Sequence, residues 1–421
     1  MLYMSEATDG CDGRAEGLPT PDALALAHAR RLMDQIDRRI DADGPLDFAR
    51  FMQLALYAPG LGYYMAGAQK FGKAGDFITA PELGPLFGQS LAVQLTEIIA
   101  NGVEATVLEV GAGSGALAAS LLPEIARRLP TESLPQYLIF EPSAELRKRQ
   151  QTHLESTLDE TVFGQLAWLD ALPTDFNGVI IANEVIDAMP VTRFRTSESV
   201  QSNALLKQLA VDRKRDERVD PSPQNPGYFL TPVDASAELR SAVSTLEDSI
   251  GPLPAGYTSE INLLVEPWLR SLHACLNHGV VLVIDYGYPE REYYLPERDT
   301  GTLACYYQHR AHDEPLIYPG LQDITAHVDF SQVARAGHNA GFELLGYGSQ
   351  AQFLLANDLS ELAATAAETL NREVDLITLN KSIKTLTLPG EMGERFQVMA
   401  FGKGYDLGLR GFRSHDLSHR L

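Results

Sequence analysis

From Thr106 onward, short apolar runs alternate with stretches whose apolar residues recur at helical spacing. Thr106–Val110, Tyr137–Glu141, Val162–Trp168 and Gly178–Ala182 read as buried strands. Phe87–Ile99, Ala116–Leu129 and Pro142–Leu158 read as helices around them. Val280-Val-Leu-Val-Ile-Asp285 is the strongest strand pattern, and Phe342–Tyr347 and Phe396–Phe401 bring the count to seven. Such alternation predicts an α/β fold, a parallel sheet with right-handed crossovers.

Upstream the pattern is helical. Pro21–Ile40 carries Leu24, Ala27, Leu32, Ile36 and Ile40, and Asp47 is placed to cap a second helix that stops at Pro59-Gly60. Gly60–Gly88 then holds seven glycines and the polar segment Gly75-Asp-Phe-Ile-Thr-Ala-Pro-Glu82, which predicts a long functional loop, a lid. Within it, Asp76, Thr79 and Glu82 either close over a ligand or cap a following helix. The expected division is a disordered tail (1–17), an N-terminal helical and lid region (18–86) and a first core part (87–194). It continues with an inserted subdomain (195–257), core again (258–286), an insertion loop (287–328) and a C-terminal core part (329–421). The insert carries the charge run Asp212–Arg218, read as a solvated face.

Composition narrows the function. A net charge of −22 over 421 residues argues against coating nucleic acid, which calls for a basic patch. Cys11, Cys275 and Cys305 lack metal-ligand or redox spacing, so no metal is expected, and so sparse a count fits a reducing cytoplasm. No apolar run reaches the roughly 20 residues of a membrane span. The acidic first 17 residues lack the features of a secretory or transit peptide.

The candidate chemistry centres on Gly111-Ala-Gly113-Ser-Gly115, between a predicted strand and a predicted helix. Glycines permit the turn and let a ligand approach the backbone, and the free N–H groups of the helix start favour an anion. That anion is either a pyrophosphate or an amino-acid carboxylate, since the turn with Ala116 also fits the dinucleotide fingerprint. Three neighbours favour S-adenosylmethionine. Glu109 sets a carboxylate near the turn, where it attracts a cationic amino or sulfonium end and repels pyrophosphate. Glu141, ending the second strand, can accept from both ribose hydroxyls, or simply cap the next helix. Asn183-Glu184 ends the fourth strand, in the crevice where open α/β sheets place their chemistry. Asp170, past the third strand, is a candidate acceptor for the adenine amino group.

The segment Ile180-Ile-Ala-Asn-Glu-Val-Ile-Asp-Ala-Met-Pro-Val191 resembles the MidA-like methyltransferases. So do Gly62-Tyr-Tyr-Met65, Gly75–Glu82, the glycine turn and Pro319-Gly-Leu-Gln-Asp-Ile-Thr-Ala-His-Val-Asp-Phe330. This family includes the mitochondrial complex I assembly factor that methylates arginine. The resemblance implies a class I (Rossmann-like) methyltransferase fold, a seven-stranded sheet with its last strand antiparallel, an N-terminal helical unit and inserted subdomains. It also implies S-adenosylmethionine over Gly111, Gly113 and Gly115, with Glu141 on the ribose; Gly75 and Asp76 are taken as lid contacts to the cofactor. The family's common turn is Gly-Pro-Gly-Arg-Gly, and no role of its arginine transfers to Ser114.

If the acceptor is arginine, its planar cationic guanidinium suits paired carboxylates. Glu184 is then expected to hold and polarise it, with Asp187 and Asn183 in support. The expected partner is a protein substrate, with a respiratory complex I subunit as the candidate, and a homodimer is an open possibility. The rival reading is an assembly factor or interaction protein whose bound cofactor is mainly structural. His327 reads equally as a structural and a catalytic residue, and Asp323 has no assigned role.

Overall fold

The computed structural model describes residues 17–66, 78–197, 206–214 and 222–421. The expected tail over residues 1–16 and the lid residues Gly75 and Asp76 therefore lie outside the described residues.

The central sheet is built from β1 (Thr106–Val110), β2 (Gln136–Phe140), β3 (Leu166–Leu169), β4 (Phe176–Asn183), β5 (Leu276–Tyr288), β6 (Glu343–Ser349) and β7 (Phe396–Lys403). They lie in the order β3-β2-β1-β4-β5-β7-β6. Strands β1 to β5 pair in parallel, and β7 runs antiparallel to both β5 and β6. Alternate side chains go to opposite faces. Val107, Ile139, Ile181 and Leu282 join one core cluster, and Leu108, Ile180, Val281 and Met399 join the other. Burial on both faces is why these strands read as continuous apolar runs, each buried Val, Ile or Leu contributing about 1.5–3 kcal/mol.

The strand count of seven needs one correction. Val328–Asp329 adds an eighth, pairing with Gly287 and Tyr288 at the end of β5. Two residues are too few to show a period. The expected strand Val162–Trp168 also starts late. Asp159 accepts a bond from the Val162 N–H at 2.9 Å and caps a helical turn over Glu160–Phe163, so β3 begins at Leu166.

Helices α1 (Ala23–Asp43) and α2 (Phe48–Tyr57) precede the sheet, followed by α3 (Leu86–Ala100), α4 (Ala116–Arg128) and α5 (Ala144–Thr157). Asp22 and Asp47 cap α1 and α2 by accepting from Ala25 N and Ala49 N. Leu46–Asp47 also joins an antiparallel sheet with Thr192–Arg195, Lys207–Arg213, Tyr228–Asp234 and Thr258–Ile261. A third sheet holds Ala304–Tyr307, Arg310–His312 and Asp323–Thr325. One apolar cluster unites these distant segments: Leu32, Ile36, Phe51 and Leu56 from α1 and α2 pack with Val191, Val211, Cys305, Leu316 and Ile324. That shared core seats the N-terminal helices over the carboxyl ends of β1 and β4. Among the described residues, no helix is long and apolar enough to cross a membrane.

Candidate active site

A cavity of about 230 Å³ opens at the carboxyl ends of β1, β2 and β4. Its floor is the glycine turn. Gly111, Gly113 and Gly115 all have positive φ (71°, 55° and 84°), a conformation that L side chains avoid. A Cβ at Gly111 would sit 3.2 Å from Val185 Cγ2. The turn feeds directly into α4, whose first N–H groups have no intrahelical partner.

Four carboxyl-bearing residues line the cavity, and among the described residues no Lys, Arg or His does. Glu109 is 3% exposed, accepts from Tyr137 Oη at 2.8 Å, and is pushed up to about 7 by burial. Glu141 is likewise raised by burial and is pinned at both oxygens, by Ser143 N at 2.9 Å and Gln150 Nε2 at 3.2 Å. Each oxygen retains a second acceptor position. Glu141 thus supports the helix start, since Ser143 is the residue that caps α5, while still lining the cavity.

Glu184 and Asp187 face this turn from the end of β4. Glu184 adopts φ of 53°, a left-handed conformation uncommon outside glycine, and its N–H is held by Ile284 O at 2.8 Å. Desolvation, then the nearby Asp187, raises Glu184 to about 8. Asp187 is buried and raised to about 6, with Tyr286 Oη donating to Oδ2 at 2.9 Å. Asn183 Oδ1 and Asp187 Oδ1 are buried within this loop with no hydrogen-bond partner among the described residues.

Asp285, at the end of β5, organises the loop. Its Oδ2 accepts from Ile186 N at 3.0 Å and Asp187 N at 3.2 Å, and its Oδ1 from Tyr286 N at 2.9 Å. Burial and the charges of Asp187 and Glu184 push its carboxyl up, against those three N–H bonds. The far wall is aromatic, formed by Tyr57 and Tyr64.

The structure thus brings together Glu109, Gly111, Gly113, Glu141, Asn183, Glu184 and Asp187 as cavity lining, with Gly115 at the head of α4. It does not bring Asp170 there. The Asp170 side chain is 92% exposed, pairs with Arg147 at 2.8 Å and is absent from the lining. Thr79 lines the cavity and also heads a capping box with Glu82. His327 sits apart from the cavity, stacked on Tyr288, with burial pulling it down to about 4. Sequence reasoning passed over Tyr57, Asp285, Tyr286 and Gln150. Asp285 alone left a signal, an acid ending the strongest strand beside β4. Among the described residues no group of acidic, His or Cys side chains is arranged to hold a metal ion.

A parallel sheet closed by an antiparallel strand and a glycine turn under an acid-lined crevice define a class I methyltransferase. Residues 87–348 match the family described as "Putative S-adenosyl-L-methionine-dependent methyltransferase", and the chain belongs to that family. It is 37% identical to a Burkholderia thailandensis protein crystallised with S-adenosyl-homocysteine, over 96% of this chain and 100% of that one, with a TM-score of 0.85. It is 26% identical to the Drosophila melanogaster "Protein arginine methyltransferase NDUFAF7 homolog, mitochondrial", over 91% of this chain and 88% of the relative. The human "Protein arginine methyltransferase NDUFAF7, mitochondrial" is also 26% identical, over 86% and 81%. The cofactor is S-adenosyl-L-methionine, and the dinucleotide alternative left open by the turn falls away.

Proposed function

We propose that this enzyme methylates an arginine side chain of a partner protein. The observation that carries the reading is the acidic cluster of Glu184 and Asp187 beside Asn183, in a cavity whose lining holds four acidic side chains and, among the described residues, no Lys, Arg or His. A guanidinium brings a positive charge and N–H donors fixed in one plane, which matches that cluster. The relatives named as protein arginine methyltransferases support the same acceptor.

When bound, S-adenosylmethionine supplies the methyl group on its sulfonium. In this reading the backbone of Gly111–Gly115 takes its carboxylate, Glu109 its cationic end and Glu141 its ribose. Raised to about 8, Glu184 is protonated in the empty site at neutral pH and ionises when the guanidinium arrives. The Glu184 carboxylate then orients the attacking nitrogen and takes the proton that this nitrogen releases as it gains the methyl group. Asp187, fixed by Tyr286 and Asp285, holds a second face of the guanidinium.

A subunit of respiratory complex I is the acceptor expected from the resemblance. Action in a cytoplasm is part of this reading and rests on the free, buried Cys275 and Cys305. Mass spectrometry of proteins from cells with and without this enzyme tests the assignment. Loss of a methyl-arginine in the deleted cells is the expected result. An unchanged methylation pattern would overturn it in favour of an assembly factor.

A further inference from the structure

Two sequence segments have no part in the chemistry above, Gly62-Tyr-Tyr-Met65 and the stretch from Pro319 to Phe330. The fold brings them together at the cavity. A Cβ at Gly62 would lie 2.5 Å from the backbone nitrogens of Tyr57 and Ala58, so only glycine lets the chain fold back along α2. The returning strand of chain is fixed by Tyr63 N to Ala55 O at 2.8 Å and Tyr64 N to Leu56 O at 2.9 Å. Tyr64 thereby stacks on Tyr57, with centroids 5.5 Å apart and planes at 21°.

Both rings line the cavity, but their hydroxyls are engaged in the wall. Tyr57 Oη donates to Ala188 O at 3.0 Å, one residue beyond Asp187. Tyr64 Oη is 3.0 Å from each carboxylate oxygen of Asp323, which is 1% exposed. Three residues further on, Ala326 N donates to Asp187 O at 3.0 Å. Aromatic wall and acidic loop are therefore one hydrogen-bonded assembly, and what the tyrosines offer the cavity is ring rather than hydroxyl. Rings beside four acidic side chains, in a cavity lined by no Lys, Arg or His among the described residues, attract a planar delocalised cation by stacking. An ammonium is compact, strongly hydrated and lacks a face to stack.

We propose that Tyr57 and Tyr64 form the acceptor subsite that selects a guanidinium over an ammonium, with Asp323 as the positioning residue that holds Tyr64 in the stack. This rests on the arginine reading above. The probes are N-acetyl-arginine amide and N-acetyl-lysine amide, titrated by NMR into enzyme saturated with S-adenosylhomocysteine. Wild-type enzyme is expected to favour the arginine amide by about tenfold, within the range of a partly desolvated cation–π contact. Tyr64→Leu should bring that ratio close to one while leaving S-adenosylhomocysteine affinity unchanged. If Tyr64→Leu loses S-adenosylhomocysteine binding as well, Tyr64→Phe decides. It keeps the ring but not the tie to Asp323, and should weaken the arginine amide about threefold. Wild-type selectivity in Tyr64→Leu, or unchanged arginine affinity in Tyr64→Phe, overturns the subsite; loss of arginine binding in Glu184→Gln would then leave the arginine reading standing. Failure of wild-type enzyme to prefer the arginine amide, or to bind either amide, overturns both.

Discussion

The two halves of the cavity are built in different ways. The cofactor half is local: Glu109 to Gly115 run from β1 into α4, and Glu141 stands at the end of the adjacent β2. The proposed acceptor half is assembled from afar, with Tyr57 and Tyr64 from the N-terminal unit, Asn183 to Asp187 from the end of β4, Asp285 and Tyr286 from β5, and Asp323 from the third sheet. The first relies on backbone N–H groups and positive φ at glycines, the second on buried side chains that hold one another. A backbone cradle serves one invariant cofactor, while a side-chain assembly is the part that can be tuned to an acceptor.

If the halves are separable, damage to each should show in a different measurement. The largest effect is expected at the turn. Gly111→Val forces a β-branched residue into φ of 71° with its Cβ 3.2 Å from Val185, and should weaken S-adenosylmethionine binding by about a hundredfold in calorimetry. In the acceptor half, Asp285→Asn puts an amide against N–H groups that need an acceptor. It should lower kcat by roughly thirtyfold while cofactor affinity stays within about threefold. A drop in cofactor affinity as large as the drop in kcat would show that the halves are not independent.

Glu184 also carries a stability signature. Its folded pKa, about 8, is raised from 4.5, so the folded state holds a proton that the unfolded chain has released at neutral pH. Stability therefore falls as pH rises from 4.5 through 8, and Glu184→Gln removes that loss. Because the side chain borders a water-accessible cavity, the gain in the variant should be about 2 kcal/mol at pH 7 rather than the full linkage value, and near zero at pH 4. Thermal unfolding at the two pH values measures it. The smallest effect belongs to Asp170→Ala, which should leave cofactor affinity within about twofold, as for any exposed ion pair.

How legible each region was in the sequence follows the same divide. The central strands Thr106–Val110, Phe176–Asn183 and Leu276–Tyr288 are buried on both faces over most of their length, and their apolar runs gave them away; the alternating glycines, which the turn itself demands, did the same for the turn. Glu184 and Asp187 were legible because the end of β4 is where such sheets place chemistry. Tyr57 and Tyr64 were not, because only the fold-back at Gly62 aims them into the cavity, and aromatic residues at helical spacing look like core. Asp170 stands outside the cavity lining for an electrostatic reason. Arg147 on α5 reaches across β3, bonding Leu169 O at 2.8 Å as well as the Asp170 carboxylate, and holds that acid at the surface. Nothing in the local sequence announces that pairing across 23 residues.

The central claim is that Glu184 must be ionised for the acceptor to be held and deprotonated, and the pH dependence of kcat/KM tests it most directly. The acceptor guanidinium stays protonated across the range, so the profile reports the enzyme. For wild-type enzyme, kcat/KM should climb with pH, reach half its plateau near 8, the value to which burial raises Glu184, and level off above that. Glu184→Gln should lose that rise and run on the order of a thousandfold lower, with S-adenosylmethionine affinity unchanged. A wild-type profile flat from pH 6 to 9, or a Gln variant that turns over like wild type, would contradict the account.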